Sequence, residues 1–246
     1  MTVDLSFSDP SLAESAAILA TRWNFHLLKP GETSSQSSVL MLTPAGLQLE
    51  LPNSEFKPIQ IDFVSGRLGY RQQHLQHELL IKACGPTKPA GRTLIDLTAG
   101  LGRDALLLSA AGHHVLMLER SPVIAALLED ALTRLGQHEL GLDLTLQFGD
   151  AHQMLATLTD DQRPDVIYCD PMHPSRSKSA LVKKEMRVIR DLVGVDEDAD
   201  SLLPLAISAA KQRVVVKRPR IAPPLAGMKP HHQVVGKSSR FDVYLK

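Results

Sequence analysis

The chain has 246 residues, 43% of them apolar and 4% aromatic, enough for one good core and a small appended subdomain. Basic and acidic residues number 27 each, but the balance is uneven: residues 1–170 carry 12 Lys/Arg against 20 Asp/Glu, whereas 171–246 carry 15 against 7. No apolar run approaches the ~20 residues of a membrane span, no leader is evident, and the two cysteines, Cys84 and Cys169, are too few for a disulfide framework or a cysteine zinc site. A reducing, cytoplasmic setting without metal or membrane is therefore expected.

In chain order, Ser11 to Trp23 reads as a capped amphipathic helix and 31–38 as a polar loop. Residues 39–43, 47–51 and 59–64 alternate like strands of a small meander, and 68–83 reads as a helix leading into a Gly/Pro-rich linker at 85–91. This predicts an N-terminal α+β subdomain over 1–85. From Arg92 onward strand and helix patterns alternate to the end of the chain, the signature of a doubly wound α/β sheet that binds its ligand at the strand C-termini, so a second domain is expected over 92–246.

Within that domain the apolar run Leu94, Ile95, Leu97 surrounds Asp96 and feeds a glycine turn, Gly100 and Gly102, directly ahead of a helix over 104–111. Glycines there let the backbone pass close to a ligand, with helix N–H groups facing the turn. The spacing alone leaves a nicotinamide dinucleotide open, since Ala105 occupies the third glycine position of G-x-G-x-x-G. The next strand, Val115 to Leu118, ends in Glu119 and Arg120. A carboxylate roughly 20 residues after the turn is placed to accept both hydroxyls of a ribose. A third strand over 142–148 runs into Gly149, Asp150, Ala151 and His152, where a carboxylate could receive an adenine amino group.

The fourth strand, Val166 to Cys169, ends in Asp170-Pro171-Met172-His173-Pro174. Asp-Pro at that place suits methyl transfer to a planar exocyclic amine, whose lone pair is delocalised until the nitrogen is drawn toward tetrahedral geometry. A carboxylate and the carbonyl before a proline can each accept one amine N–H, and the proline keeps that carbonyl aimed. Such a transfer needs no covalent enzyme intermediate, so Cys169 is not expected to act as a nucleophile.

The runs Asp-Leu-Thr-Ala-Gly-Leu-Gly-Arg-Asp-Ala (96–105), Met-Leu-Glu-Arg-Ser-Pro-Val (117–123), Asp-Pro-Met-His-Pro (170–174) and Ser-Ala-Leu-Val-Lys-Lys-Glu-Met-Arg-Val (179–188), with Val-Val-Val-Lys-Arg-Pro (214–219) and Ala-Pro-Pro-Leu-Ala (222–226), resemble the bacterial small-subunit (16S) ribosomal RNA guanine-N2 methyltransferase J family over nearly the whole chain. The resemblance implies a class I methyltransferase, Rossmann-like fold, S-adenosylmethionine as cofactor, and a guanine amine of 16S ribosomal RNA or the small ribosomal subunit as acceptor. By position it implies cofactor contacts from Asp96, Gly100, Gly102, Arg103, Asp104, Glu119, Arg120, Asp150, Ala151, His152 and Asp170, and catalytic roles for Asp170, Pro171 and His173. The family pattern leads one to expect an aromatic residue where this chain has His173, whose neutral ring can still stack on a purine.

For RNA contacts the basic third offers Arg176 and Lys178, then Lys183, Arg187 and Arg190 spaced as a helical stripe beside the apolar Val182, Met186, Ile189 and Val193, and finally Lys217 and Arg218 after a fifth strand. Together these are expected to form a phosphate-binding rim. The competing readings are a DNA-adenine or protein-glutamine methyltransferase, a nicotinamide-dependent oxidoreductase, which the absence of Tyr-x-x-x-Lys disfavours, and a catalytically silent RNA-binding protein on the same fold.

Overall fold

The computed structural model describes residues 3–51, 57–64, 75–85, 91–138, 140–172 and 198–246. The elements of the N-terminal stretch are β1 (Asp4–Phe7), α1 (Ala13–Trp23), β2 (His26–Leu27), β3 (Val39–Thr43) and β4 (Gly46–Glu50). Then come α2 (Leu79–Cys84), β5 (Thr93–Asp96), α3 (Arg103–Ala110), β6 (His114–Glu119), α4 (Pro122–Leu135), β7 (Leu144–Phe148), α5 (Ala151–Thr157) and β8 (Val166–Cys169). The chain ends with α6 (Ala199–Ala209), β9 (Arg213–Pro219), β10 (His232–Val235) and β11 (Ser239–Leu245).

The described residues fall into two compact units. One holds Met1–Asp62 with Ser121–His138. Its first helix is started not by Ser11 but by Asp9, whose carboxylate accepts the Ser11 N–H at 2.8 Å and caps a 3-10 turn at Pro10–Leu12 that continues into α1. The sheet here has the order β2-β1-β3-β4, with β1 parallel to β2 and β3 and only β3–β4 a hairpin. It is therefore a mixed sheet and not the expected meander: β1 was too short to announce itself in the sequence, and the stretch expected as a third strand at 59–64 contributes a single bridge, Leu49 to Ile59. Helix α4 belongs to this unit. Glu129 accepts from Trp23 Nε1 at 3.2 Å and pairs with Arg22, and Arg134 donates to the Ile61 carbonyl at 2.6 Å. The grouping departs from the expected division at 85–92, because α4, far along the chain, supplies partners to the N-terminal residues. Of the helix expected over 68–83, residues 75–84 are described, as a 3-10 turn at Leu75–His77 and α2; 68–74 lie outside the described residues.

The second unit contains a seven-stranded sheet of order β10-β11-β9-β8-β5-β6-β7. Strands β5 to β9 are mutually parallel where they pair, and β11 runs antiparallel to both β9 and β10. The doubly wound sheet expected from the sequence is thus present, with an unforeseen hairpin strand, β10, at its edge. All four residues of β8 are buried, as an inner strand covered on both faces requires. Ile95, Ile167, Val214 and Val216 meet Leu203, Ala206 and Ala209 of α6 in one buried cluster. That packing lines up the C-terminal ends of β5, β8 and β9 along one edge.

A buried ion pair fixes the end of β9. Arg240 donates through Nε and Nη2 to the two oxygens of Asp242, at 2.8 and 3.0 Å, and its Nη1 also reaches the carbonyls of Pro219 and Arg220 at 3.2 and 2.7 Å. Both residues are buried. Removing one partner leaves a desolvated charge, so Asp242→Ala is expected to lower stability by about 3–5 kcal/mol, read as a fall in the denaturant midpoint at an unchanged slope.

Candidate active site at the carboxyl edge of the sheet

The turn after β5 takes its shape from its glycines. Gly100 and Gly102 have φ of 52° and 69°, the left-handed region that a side chain strains. Gly102 is the N-cap of α3, so the first N–H groups of α3 face the turn. Two neighbouring strands hold the turn in place: the Ala99 N–H donates to the Leu118 carbonyl at 3.1 Å, and the Gly100 N–H donates to Glu119 Oε2 at 3.0 Å. Glu119 is buried at the end of β6. The Gly149 N–H in turn donates to the Glu119 carbonyl at 3.0 Å, which brings the Gly-Asp segment beside it. There Asp150 caps α5, its Oδ1 accepting from the N–H groups of His152 and Gln153 at 3.0 and 3.1 Å.

Strand β8 delivers Asp170 to the same edge. Its backbone N–H donates to Thr98 Oγ1 at 2.6 Å, and the Leu97 N–H donates to the Tyr168 carbonyl at 2.9 Å. From β9, Lys217 Nζ donates to Asp104 Oδ2 and to Asp170 Oδ2, each at 2.8 Å, and the Tyr168 hydroxyl donates to Asp104 Oδ2 at 2.6 Å. Burial works to depress the Lys217 ammonium, but the two carboxylates outweigh it and hold its pKa above the ordinary value. Tyr168 is pushed up first by burial and then by Asp104 and Asp170, so it stays protonated and donates.

Asp96 completes this group. It lies at the end of β5, 1% exposed, and accepts the Thr98 N–H at 3.0 Å. Burial pushes its carboxyl up to about 8; the charges of Asp104 and Asp170 add to that, against the Thr98 hydrogen bond and Lys217. Three acids thus gather around one ammonium.

Several residues stand elsewhere than expected. Lys217 and Arg218 were expected on a phosphate rim; Lys217 instead sits between two carboxylates inside the site, and Arg218 is buried, donating to the Pro223 carbonyl at 3.2 and 3.1 Å. The cause is that both belong to β9, an inner strand, rather than following it. Arg120, expected among the cofactor contacts, donates to both oxygens of Asp198 at 3.2 and 3.1 Å. Asp198 also lies 3.6 Å from His152 Nδ1, and His152 Nε2 shares a 2.8 Å hydrogen bond with Ser201 Oγ. Asp150, His152 and Asp198 bring one donor atom each within 4.8 Å of one another, a metal-competent spacing that sequence reading did not foresee because Asp198 is far along the chain; its acids are already engaged by Arg120 and by the α5 N-terminus. Arg103 and Ala151 lie beside the turn and at the start of α5, and Pro171 follows Asp170, buried. His173, Arg176, Lys178, Lys183, Arg187 and Arg190 lie outside the described residues. Tyr168, Thr98 and Asp198 were missed; Thr98 sits inside a quoted motif and Tyr168 inside the fourth strand, but nothing in their spacing marks them as polar partners.

Comparison with known proteins agrees with this geometry. A family model described as SAM-dependent methyltransferase matches residues 18–246. A protein of Thioalkalivibrio sulfidiphilus named ribosomal RNA small subunit methyltransferase J is 48% identical over 99% of this chain and 97% of its own length. A protein of the same name from Yersinia enterocolitica is 47% identical over 93% and 91%. The crystal structure of a SAM-dependent methyltransferase from Neisseria gonorrhoeae superposes with a TM-score of 0.78 at 32% identity, covering 99% of this chain and 96% of that one. The nicotinamide alternative left open by the glycines is thereby closed.

Asp96 gives the site a pH signature. Between about pH 4 and 8 the folded chain keeps a proton there that the unfolded chain, with an ordinary carboxylate, releases. Stability from this group is complete at low pH and is lost as pH rises to about 8, at up to about 1.36 kcal/mol per unit. Asp96→Asn is expected to flatten the fall of melting temperature between pH 5 and 8 without cofactor; a variant with the parent's slope would remove Asp96 as its source. The chain belongs to the ribosomal RNA small subunit methyltransferase J family and uses S-adenosylmethionine.

Proposed function

We propose that the chain methylates the exocyclic N2 amine of a guanosine in 16S ribosomal RNA, with Asp170 as the group that receives the amine. The observation that carries this reading is the fixation of Asp170 from both sides, its N–H on Thr98 and its carboxylate on Lys217, at the edge where the glycine turn and Glu119 meet. The residues present suit the cofactor. The acid excess around Asp96, Asp104 and Asp170 favours its sulfonium and ammonium charges, and Glu119 offers the carboxylate that a ribose requires.

When bound, S-adenosylmethionine would supply an electrophilic methyl group to the amine lone pair, its sulfur leaving as the neutral thioether, and the cationic nitrogen so formed would release one proton to solvent. The chain's own part is positioning. A carboxylate oxygen of Asp170 accepts one amine N–H, and the Asp170 carbonyl, stiffened by Pro171, accepts the other, which draws the nitrogen toward tetrahedral geometry and localises its lone pair. Lys217 neutralises part of the Asp170 charge and fixes its rotamer, while His173 is the candidate to stack on the base. Asp96, Gly100, Gly102, Arg103, Asp104, Glu119, Arg120, Asp150, Ala151 and His152 are the candidates to surround the cofactor, Asp104 acting through Lys217 and Tyr168. Arg176, Lys178, Lys183, Arg187 and Arg190 are the candidates for backbone phosphates, on the strength of their charge and spacing.

Two variants test the assignment. Glu119→Ala is expected to weaken S-adenosylmethionine binding by about 1.5–3 kcal/mol, the loss of hydrogen bonds to a charged acceptor; unchanged affinity in calorimetry would take Glu119 out of the site. Asp170→Asn keeps the shape and one acceptor but loses the charge, and single-turnover methylation of an RNA with an unpaired guanosine should fall by on the order of 10² at saturating cofactor. A near-parental rate would defeat the mechanism.

A further inference from the structure

The opposite, amino-terminal edge of the same sheet carries a second cationic group that the methyl-transfer site does not use. Arg92 precedes β5 and Arg213 opens β9. A methyl group placed on Gly85 would stand 2.4 Å from Arg92 Nη1 and 3.1 Å from both Cζ and Nη1 of Arg213, so the two guanidinium groups converge on one point. Their only hydrogen bonds among the described residues are long. Arg92 Nη1 reaches the Cys84 carbonyl at 3.4 Å and Arg213 Nη1 the Ala83 carbonyl at 3.4 Å, while the buried Nε of Arg213 has no partner. Each guanidinium offers five N–H donors, so most of that capacity is unspent.

No carboxylate among the described residues neutralises the pair. Asp165, adjacent to both strand starts, accepts instead from Thr93 and from Gln212 Nε2, and Asp143 pairs with His114. The Cys84 thiol beside them is pushed up by burial and stays neutral. Desolvation, followed by the charge of Arg92, lowers the pKa of Arg213. Two like charges held together with idle donors and no counter-ion are the arrangement that a tetrahedral oxyanion resolves, because its oxygens can accept from both forks at once.

We propose that Arg92 and Arg213 together bind a phosphate group. S-adenosylmethionine carries no phosphate, and Arg213 stands four residues along β9 from Lys217, about 13 Å at ~3.3 Å per residue, so this site serves neither the cofactor nor the methyl acceptor. A phosphodiester of the RNA backbone and free inorganic phosphate present the same chemistry. The first source rests on the RNA reading above; the second does not.

The test compares the parent with Arg92→Gln/Arg213→Gln in two measurements. Inorganic phosphate, titrated at constant ionic strength against chloride, is expected to raise the parent's melting temperature by roughly 2–4 °C at about five times its Kd and to leave the double variant unmoved. In RNA binding followed against salt, the parent's log–log slope should be steeper than the variant's by about 1–2 if the ligand is the RNA backbone, with S-adenosylmethionine affinity equal in both. Loss of the phosphate effect with an unchanged RNA slope identifies free phosphate as the ligand. Equal phosphate shifts and equal slopes in parent and variant overturn the site and leave the arginines as caps of α2. A parent that fails to bind RNA refutes the RNA reading alone, since the phosphate arm still reports on the pair. Should the double variant not fold, Arg213→Gln alone carries the same comparison, with a slope difference of about 1.

Discussion

The ammonium of Lys217 is the constraint around which the methyl-transfer edge is arranged. It stands 2.8 Å from Asp104 at the start of α3 and 2.8 Å from Asp170 after β8, while its own backbone belongs to β9. One cation thereby ties three separate segments to a common geometry, and the Tyr168 hydroxyl on Asp104 adds a neutral donor to the same network. Without the lysine, Asp96, Asp104 and Asp170 would raise one another's pKa with its ammonium gone, and at least one would have to hold a proton. Even with it, Asp96 titrates near 8. This edge therefore carries more acid than it can comfortably ionise, and positive charge brought by a ligand would offset it.

Much of this was legible in the sequence because acids at the ends of short apolar strands have few other reasons to be there. Glu119 closes β6, Asp96 closes β5 and Asp170 follows β8, as the periodicity placed them. What stayed hidden are contacts whose partners are far apart in the chain. Lys217 looked like the first residue of a basic tail because Val214, Val215 and Val216 precede it, yet β9 runs to Pro219. An inner strand cannot leave a lysine uncompensated, and the compensation comes from residues 47 and 113 positions away. The same logic hid Arg120 with Asp198 and Arg134 with the Ile61 carbonyl. In the N-terminal sheet the failure was one of length: β1 has four residues and β2 two, too few for alternation to be counted.

The cations of the chain accordingly divide into different kinds. Lys217, Arg218 and Arg240 are internal, each committed to carboxylates or carbonyls, and serve the fold and the site. Arg92 and Arg213 are held at the other edge with donors unspent. Net charge along the sequence could not separate these classes, because a salt bridge and a phosphate site ask for the same residues and differ only in what the fold sets opposite them.

That distinction bears on how Asp170 would act on an amine. A carboxylate bridged to an ammonium is a poor general base, since Lys217 stabilises its charged form, but it remains a strong and well-aimed acceptor. An amine nitrogen needs no prior deprotonation to receive a methyl group; it needs its lone pair directed, and it becomes more acidic as the new bond forms. The lysine therefore trades basicity at Asp170 for orientation. The direction of that trade fits in-line transfer to a planar amine and does not fit chemistry that begins by removing a proton from carbon or oxygen.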